Sequence, residues 1–123
     1  MNFKIDTREK FTVITPLSDF LSDNLTAEFL GLIQSTLQSK ISLIINFKNL
    51  SSINDKIIKQ IAALHEQFYL NQLSFVLCEL QPEVKKVIEE LELNDALNIT
   101  LAETEAWDMV QMEEIERELL DDE

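Results

Sequence analysis

Within six residues the chain places two hydroxyls, an amide, a carboxylate and an ammonium: Ser51, Ser52, Asn54, Asp55 and Lys56. A serine hydroxyl can attack a carbonyl when a base takes its proton, accept a phosphoryl group, or satisfy a turn backbone. Hydrolysis needs that base close by. His65 is the only histidine, and no serine is flanked by the glycines of a nucleophile elbow. Satisfying the turn backbone is therefore the favoured role of Ser51 and Ser52, with their phosphorylation left open. His65 is read as lying at the border of a helix rather than as a ligand or catalyst. Metal binding is unsupported by one His and one Cys at unrelated positions. Phosphate-cradling loops need glycines, and Gly31 is the only one. The carboxylates of Glu89-Glu90, Glu113-Glu114 and Asp121-Asp122-Glu123 read as solvated faces and a tail. No catalytic, cofactor or metal residue is predicted, and the chain is not expected to be an enzyme.

The corner lies between two elements that position it. Leu43 to Phe47 is a short run rich in β-branched residues, read as a central strand over 42–47 covered on both faces. Asn49, Ser51 and Ser52 mark its end. Ile57, Ile58, Ile61, Leu64, His65 and Phe68 then recur at three- and four-residue steps, predicting a helix over 54–70 with Asn54 and Asp55 at its N-terminus. Lys56, Lys59 and Gln60 fall on its exposed side. In open α/β sheets, such a corner at the carboxyl end of a strand is where ligands and partners are met.

Around this pair the chain reads in order. Phe3, Ile5 and Thr7 alternate with Lys4, Asp6 and Arg8, an edge strand over 3–8; Phe11, Val13 and Ile14 predict a second strand that stops by Pro16 and closes a hairpin. Asp23 or Asn24 is expected to cap the next helix, which runs to about Gln38 on a stripe of Phe29, Leu30, Ile33 and Leu37. Gly31 sits inside it, where a close contact with the sheet would explain its tolerance. Leu73 and Phe75 to Cys78 predict a strand parallel to 42–47. Pro82 opens a short helix through Val84, Val87, Ile88 and Leu91. Leu97, Ile99 and Leu101 form a last strand. From Glu103 a helix follows with Trp107, Val110, Met112, Ile115 and Leu119 as its apolar side, packing back on the domain or, alternatively, binding a partner or a second copy. Leu119 to Glu123 is expected to fray.

The order β-β-α-β-α-β-α-β-α predicts an α/β fold: a small mixed sheet with an N-terminal hairpin and about four helices. Residues 1–113 are assigned to one domain and 114–123 to an acidic helix end and tail. A response-regulator receiver is excluded, because the first strand ends in Thr7-Arg8 and runs into a hairpin instead of ending in an acidic pair.

Ten Lys and Arg against 23 Asp and Glu give a net charge of −13. That excess argues against nucleic-acid binding through phosphates and against docking on anionic lipid. A basic or mixed-charge protein surface is the easier partner. Cys78 stands alone in an apolar run, which fits a reducing compartment. Met1-Asn-Phe-Lys-Ile-Asp lacks a secretory apolar core, and no apolar run approaches the roughly 20 residues of a membrane span. A soluble, cytoplasmic protein is expected.

Three segments carry a family resemblance. Ile44-Ile-Asn-Phe-Lys-Asn-Leu-Ser51, followed by Ser52-Ile53, matches the strand, its Leu-Ser end and the residues before an Asp-Ser-Ser-Gly helix start. Asp23 with Thr26-Ala-Glu28 matches an acidic turn and first-helix start, and Gln81-Pro-Glu-Val-Lys-Lys-Val87 matches a Ser-Pro-X-Val-Lys-Arg segment. With these in order the chain resembles the STAS family, the fold of bacterial anti-sigma-factor antagonists, over about residues 3 to 113. The resemblance implies partner switching: a serine at the helix start is phosphorylated by an anti-sigma kinase, and the unphosphorylated protein sequesters that kinase.

At the motif itself the polar positions differ. Asn54 stands where the family has its Asp, Asp55 where it has the phosphorylated Ser, Lys56 at the second Ser and Ile57 at the Gly. Aspartate offers no hydroxyl to a kinase, so the resemblance implies that phosphorylation at this position is lost. Asp55 is then a helix cap, the favoured reading, or a fixed mimic of the phosphorylated state. The expected partner is an anti-sigma factor or related serine-kinase regulator. It would be met by Asp23, Ser51, Ser52, Asn54, Asp55, Lys56, Lys59 and Gln60, with the protein a monomer or weak homodimer. A small-molecule-binding or sensory STAS-like domain is the alternative.

Overall fold

The computed structural model describes residues Asn2 to Asp121. Five strands and four helices follow in the predicted order: β1 (Phe3–Thr7), β2 (Phe11–Pro16), α1 (Asp23–Gln38), β3 (Ser42–Asn46), α2 (Asp55–Leu70), β4 (Phe75–Cys78), α3 (Pro82–Glu90), β5 (Asn98–Thr100) and α4 (Glu103–Asp121). The sheet order is β1-β2-β3-β4-β5. β1 and β2 form the antiparallel hairpin, and β2 to β5 run parallel, each successive pair separated by a helix. Strand β3 therefore sits at the centre, and all five of its residues are buried.

Alternation along the central strands sorts two apolar layers. Leu43, Ile45, Phe75 and Leu77 join Phe29, Ile33, Ile58, Ile61, Phe68, Val84 and Ile88, contributed by α1, α2 and α3, in the larger core. Ile44, Val76 and Cys78 point the other way, onto Ala106 and Val110 of α4, with Phe11 and Val13 beside them. Because both faces are covered, the strands read as continuous apolar runs. Aromatic pairs fill the larger layer, with Phe3 stacked on Phe29 at 5.6 Å and Phe68 edge-on to Phe75 at 4.9 Å. In the smaller layer Phe11 meets Trp107 edge-on at 5.4 Å, and the Arg8 guanidinium lies 4.6 Å from the indole centroid.

Several local expectations require correction. The α1 cap is Ser22, whose Oγ accepts from Leu25 N–H at 3.3 Å, so Asp23 is the first helical residue and Asn24 the second. A carboxylate in the first turn still favours the helix through its dipole. Gly31 makes no close contact with the sheet: it is exposed, and a Cβ there would meet nothing within 4 Å. Ile5 is exposed on the edge strand. The apolar side expected for α4 is mostly turned outward: Val110 is buried and Trp107 half-buried, but Met112, Ile115 and Leu119 face solvent. Helix α4 also stays helical through Leu119 to Asp121 where fraying was expected, while Asp122 and Glu123 lie outside the described residues.

Polar bonds hold α4 against the sheet at two levels. At the carboxyl ends of the strands, buried Asn46 donates from Nδ2 to Glu79 Oε2 and Glu103 Oε1, both at 3.0 Å, and Trp107 Nε1 donates to Glu103 Oε2 at 3.1 Å. At the amino ends, Ser74 Oγ donates to Glu113 Oε1 at 2.6 Å, and Arg117 Nη2 donates to Ser74 Oγ at 3.1 Å. Among the described residues no helix is long and apolar enough to cross a membrane.

Candidate partner-binding corner

The segment from Phe47 to Asn54 leaves the carboxyl end of β3 and enters α2. It alternates anchors with outward residues. Phe47 and Leu50 are fully buried and Ile53 nearly so, whereas Ser51, Ser52, Asn54, Asp55 and Lys56 are exposed. Burying an aliphatic side chain of this size stabilises by about 1.5–3 kcal/mol. Two such anchors outweigh the roughly 1 kcal/mol of a helix cap, so Leu50 and Ile53 set the loop's path and capping refines it.

Hydrogen bonds from neighbouring loops fix the backbone between the anchors. Ser51 donates to the Asp19 carbonyl through both its N–H, at 2.8 Å, and its Oγ, at 3.0 Å, and the Ser52 N–H reaches the same oxygen at 3.2 Å. Asn49 Nδ2 donates to the Pro16 carbonyl at 3.3 Å. From the other side Gln81 Nε2 donates to the Lys48 carbonyl at 2.6 Å. Within the segment, the Lys48 N–H donates to Asn46 Oδ1 at 2.9 Å and the Leu50 N–H to the Phe47 carbonyl at 3.0 Å. Asn46 thus connects the corner, through Lys48, to the start of α4, through Glu103.

At the helix start, Asn54 Oδ1 accepts from Ile57 N–H at 2.9 Å, which makes Asn54 the cap. Asp55 is the first helical residue. Its exposed carboxylate is not the cap, but its charge lies at the positive end of the helix dipole. Lys56, Lys59 and Gln60 are exposed on the same helix, as their spacing predicts. Asp23 is exposed in the first turn of α1. The link from that side runs instead through the backbone of Asp19, which sequence reasoning did not single out. It also missed Phe20, the next residue, 56% exposed beside the corner, although an aromatic in a polar connection is a readable signal. Asn46 was missed as well, and Asn49 and Gln81 were read only as a strand end and a motif position, not as residues that fix the corner. Of these, Asn46 carried the clearest sign, since a buried amide in an apolar strand must find partners.

His65 and the grooves beside it lie away from this corner, whereas Cys78 adjoins its first residue, Phe47, whose N–H donates to the Cys78 carbonyl at 3.0 Å. His65 is buried on α2, where its Nε2 accepts from Asn98 N–H at 3.3 Å. Burial lowers its pKa, against smaller opposing effects from a Phe75 backbone bond and the Glu113 charge, which keeps the ring neutral as the acceptor role requires. The Cys78 thiol is pushed up to about 12 by burial, with Glu103 and Glu79 adding to the effect and Lys48 opposing it, so it is not a reactive nucleophile at neutral pH. Grooves of 660 and 590 Å³ share His65, Tyr69, Asn98 and Glu113 near the amino ends of β4 and β5.

Comparison with known proteins places this geometry. Solved structures of the same fold include an anti-sigma-factor antagonist (STAS) domain protein from Planctomyces limnophilus, at 14% identity and a TM-score of 0.77, covering 89% of this chain and 97% of that one. An anti-sigma factor antagonist from Mycobacterium paratuberculosis matches at 14% identity and a TM-score of 0.75, covering 89% and 92%. The anti-sigma factor antagonist SpoIIAA in its unphosphorylated form matches at 20% identity and a TM-score of 0.74, covering 89% and 96%. Among curated protein sequences no match was found. The family model for the STAS domain matches residues 3–106, from the first strand into α4, and the chain belongs to that family.

Proposed function

We propose that this chain is a non-enzymatic regulatory module of the partner-switching kind, which binds an anti-sigma factor or related serine-kinase regulator through the 51–60 corner. The observation that carries the proposal is the corner's construction: anchored by Leu50 and Ile53, tied to Asp19 and Gln81, and displaying Ser52, Asp55, Lys56, Lys59 and Gln60 to solvent. A surface fixed before its partner arrives loses little conformational entropy on docking. Phe20 adds an exposed aromatic of the kind that anchors protein interfaces. The corner is mixed in charge on an acidic chain, with Lys48, Lys56 and Lys59 beside Asp19, Asp23 and Asp55. Electrostatic complementarity then favours a mixed-charge partner surface at this point.

Asp55 gives the module a fixed charge. The relative SpoIIAA has been solved in unphosphorylated and phosphorylated forms. Here an aspartate occupies the position that the family resemblance assigns to the phosphorylated serine, and Asn54 already does the capping. The carboxylate therefore acts as a constant, partial substitute for phosphate, and the switch is not operated at residue 55. The experiment mixes the cognate serine kinase and ATP with the native chain and with Asp55→Ser. Residue 55 is expected to take no phosphate in the native chain, whereas Asp55→Ser accepts phosphate or binds the kinase with altered affinity. A kinase that neither modifies nor distinguishes Asp55→Ser would overturn the fixed-charge reading. Retention of a small molecule on purification, with no regulator complex, would favour the sensory alternative.

A further inference from the structure

Helix α4 has a second outward face that the corner does not use. Its inner face, through Ala106, Val110 and Glu113, is committed to the sheet. Directly opposite, Met112, Ile115 and Leu119 recur at i, i+3 and i+7 and are 61%, 55% and 64% exposed. That spacing puts them in one stripe about 10 Å long, given a rise of about 1.5 Å per residue. The family-model match ends at residue 106, before the stripe begins.

We propose that this stripe is a docking surface for an amphipathic helix whose apolar residues are bordered by Lys or Arg. Charge complementarity selects that partner. The sequence of α4 carries six Glu and two Asp against Arg117 alone. Arg117 is already held by Glu114 at 2.9 Å and by Ser74. Asp108 and Glu116 stand exposed around the stripe, as does Glu118, which is paired with Lys10 at 3.4 Å. A second copy of this chain is the wrong occupant, because it would set the same carboxylates, and a net charge of −13, against their like. A lysine-bordered helix instead pairs its apolar residues with Met112, Ile115 and Leu119 and its cations with the surrounding carboxylates, the helix-to-helix arrangement of a zipper contact. Because α4 packs on the sheet face opposite α2, this surface and the 51–60 corner can be occupied together, and the inference does not depend on the corner's function.

The test uses the full chain and two synthetic helical peptides with the same leucine stripe, one bordered by lysine and one by glutamate. Amide shifts in the NMR spectrum are expected to move for residues 108 to 119 and not for 51 to 60 when the lysine peptide is added, with binding that weakens as salt rises. The glutamate peptide should not bind. The double variant Ile115→Gln/Leu119→Gln keeps every charge, and because both positions are exposed it should fold normally. It is expected to bind the lysine peptide about tenfold more weakly or worse. Equal binding by that variant would reduce the effect to general attraction between opposite charges and overturn the proposal. No binding, shifts at a different surface, or sedimentation showing a dimer built on this stripe would overturn it as well.

Discussion

At the corner the anchors are aliphatic and buried and the displayed side chains are polar; on the distal half of α4 the inward bonds are polar and the displayed side chains are aliphatic. The corner is a loop, so its backbone groups need partners: the Asp19 carbonyl accepts from the Ser51 and Ser52 N–H groups, and Gln81 Nε2 donates to the Lys48 carbonyl. Helix α4 satisfies its own backbone, so a few side-chain bonds are enough to hold it down. An outward face gains different functional options from the way its backbone is satisfied. A fixed loop presents specific polar groups, while a self-sufficient helix can leave an apolar stripe exposed.

The largest effect should come from the residue that joins the two regions. The one amide of Asn46 accepts from the Lys48 N–H and donates to two carboxylates. Asn46→Asp keeps the shape but sets a third carboxylate against Glu79 and Glu103 and removes both donated bonds. A loss on the order of 3 kcal/mol in urea denaturation at neutral pH is expected. The loss should shrink as pH falls, because protonation relieves the repulsion and favours the folded state, in which the carboxylates are crowded, over the unfolded one. A change under about 0.5 kcal/mol would show that the corner and α4 are held independently, since distant surface substitutions stay in that range.

A smaller effect separates capping from charge within the corner itself. Asn54→Ala should cost about 1 kcal/mol, because Ile57 loses its N–H acceptor. Asp55→Ala should cost only the helix-dipole contribution, roughly 0.3–1 kcal/mol. Thermal unfolding of the pair checks the order, and a larger loss at Asp55 would return the capping role to it.

The fold was legible because its strands and three of its helices announce themselves by periodicity: Leu43 to Phe47, Phe75 to Cys78, and the stripes through Phe29, Ile58 and Val84. Helix α4 was legible as a helix but not in its orientation. Its inner face is made of small Ala106, Val110 and hydrogen-bonded Glu113, while its largest aliphatics face out, so counting apolar residues selects the wrong side. Ser22 and Asp23 are both good cap residues, and only backbone geometry shows which one caps α1. Gly31 fits a helix that tolerates it as well as one that requires it; open space above it shows tolerance. At the corner, the exposed residues were readable from their types. The clamp was not, because its main acceptor, the Asp19 carbonyl, is a backbone atom that any residue would provide.

The decisive measurement is the affinity of the full chain for its serine-kinase-type regulator, by calorimetry, for the native protein, Asp55→Arg/Lys56→Glu and Ile115→Gln/Leu119→Gln. Reversing two exposed charges at the corner is expected to weaken the complex about tenfold or more, while the α4 variant leaves it unchanged. Native affinity in Asp55→Arg/Lys56→Glu would contradict the assignment of the corner as the binding surface.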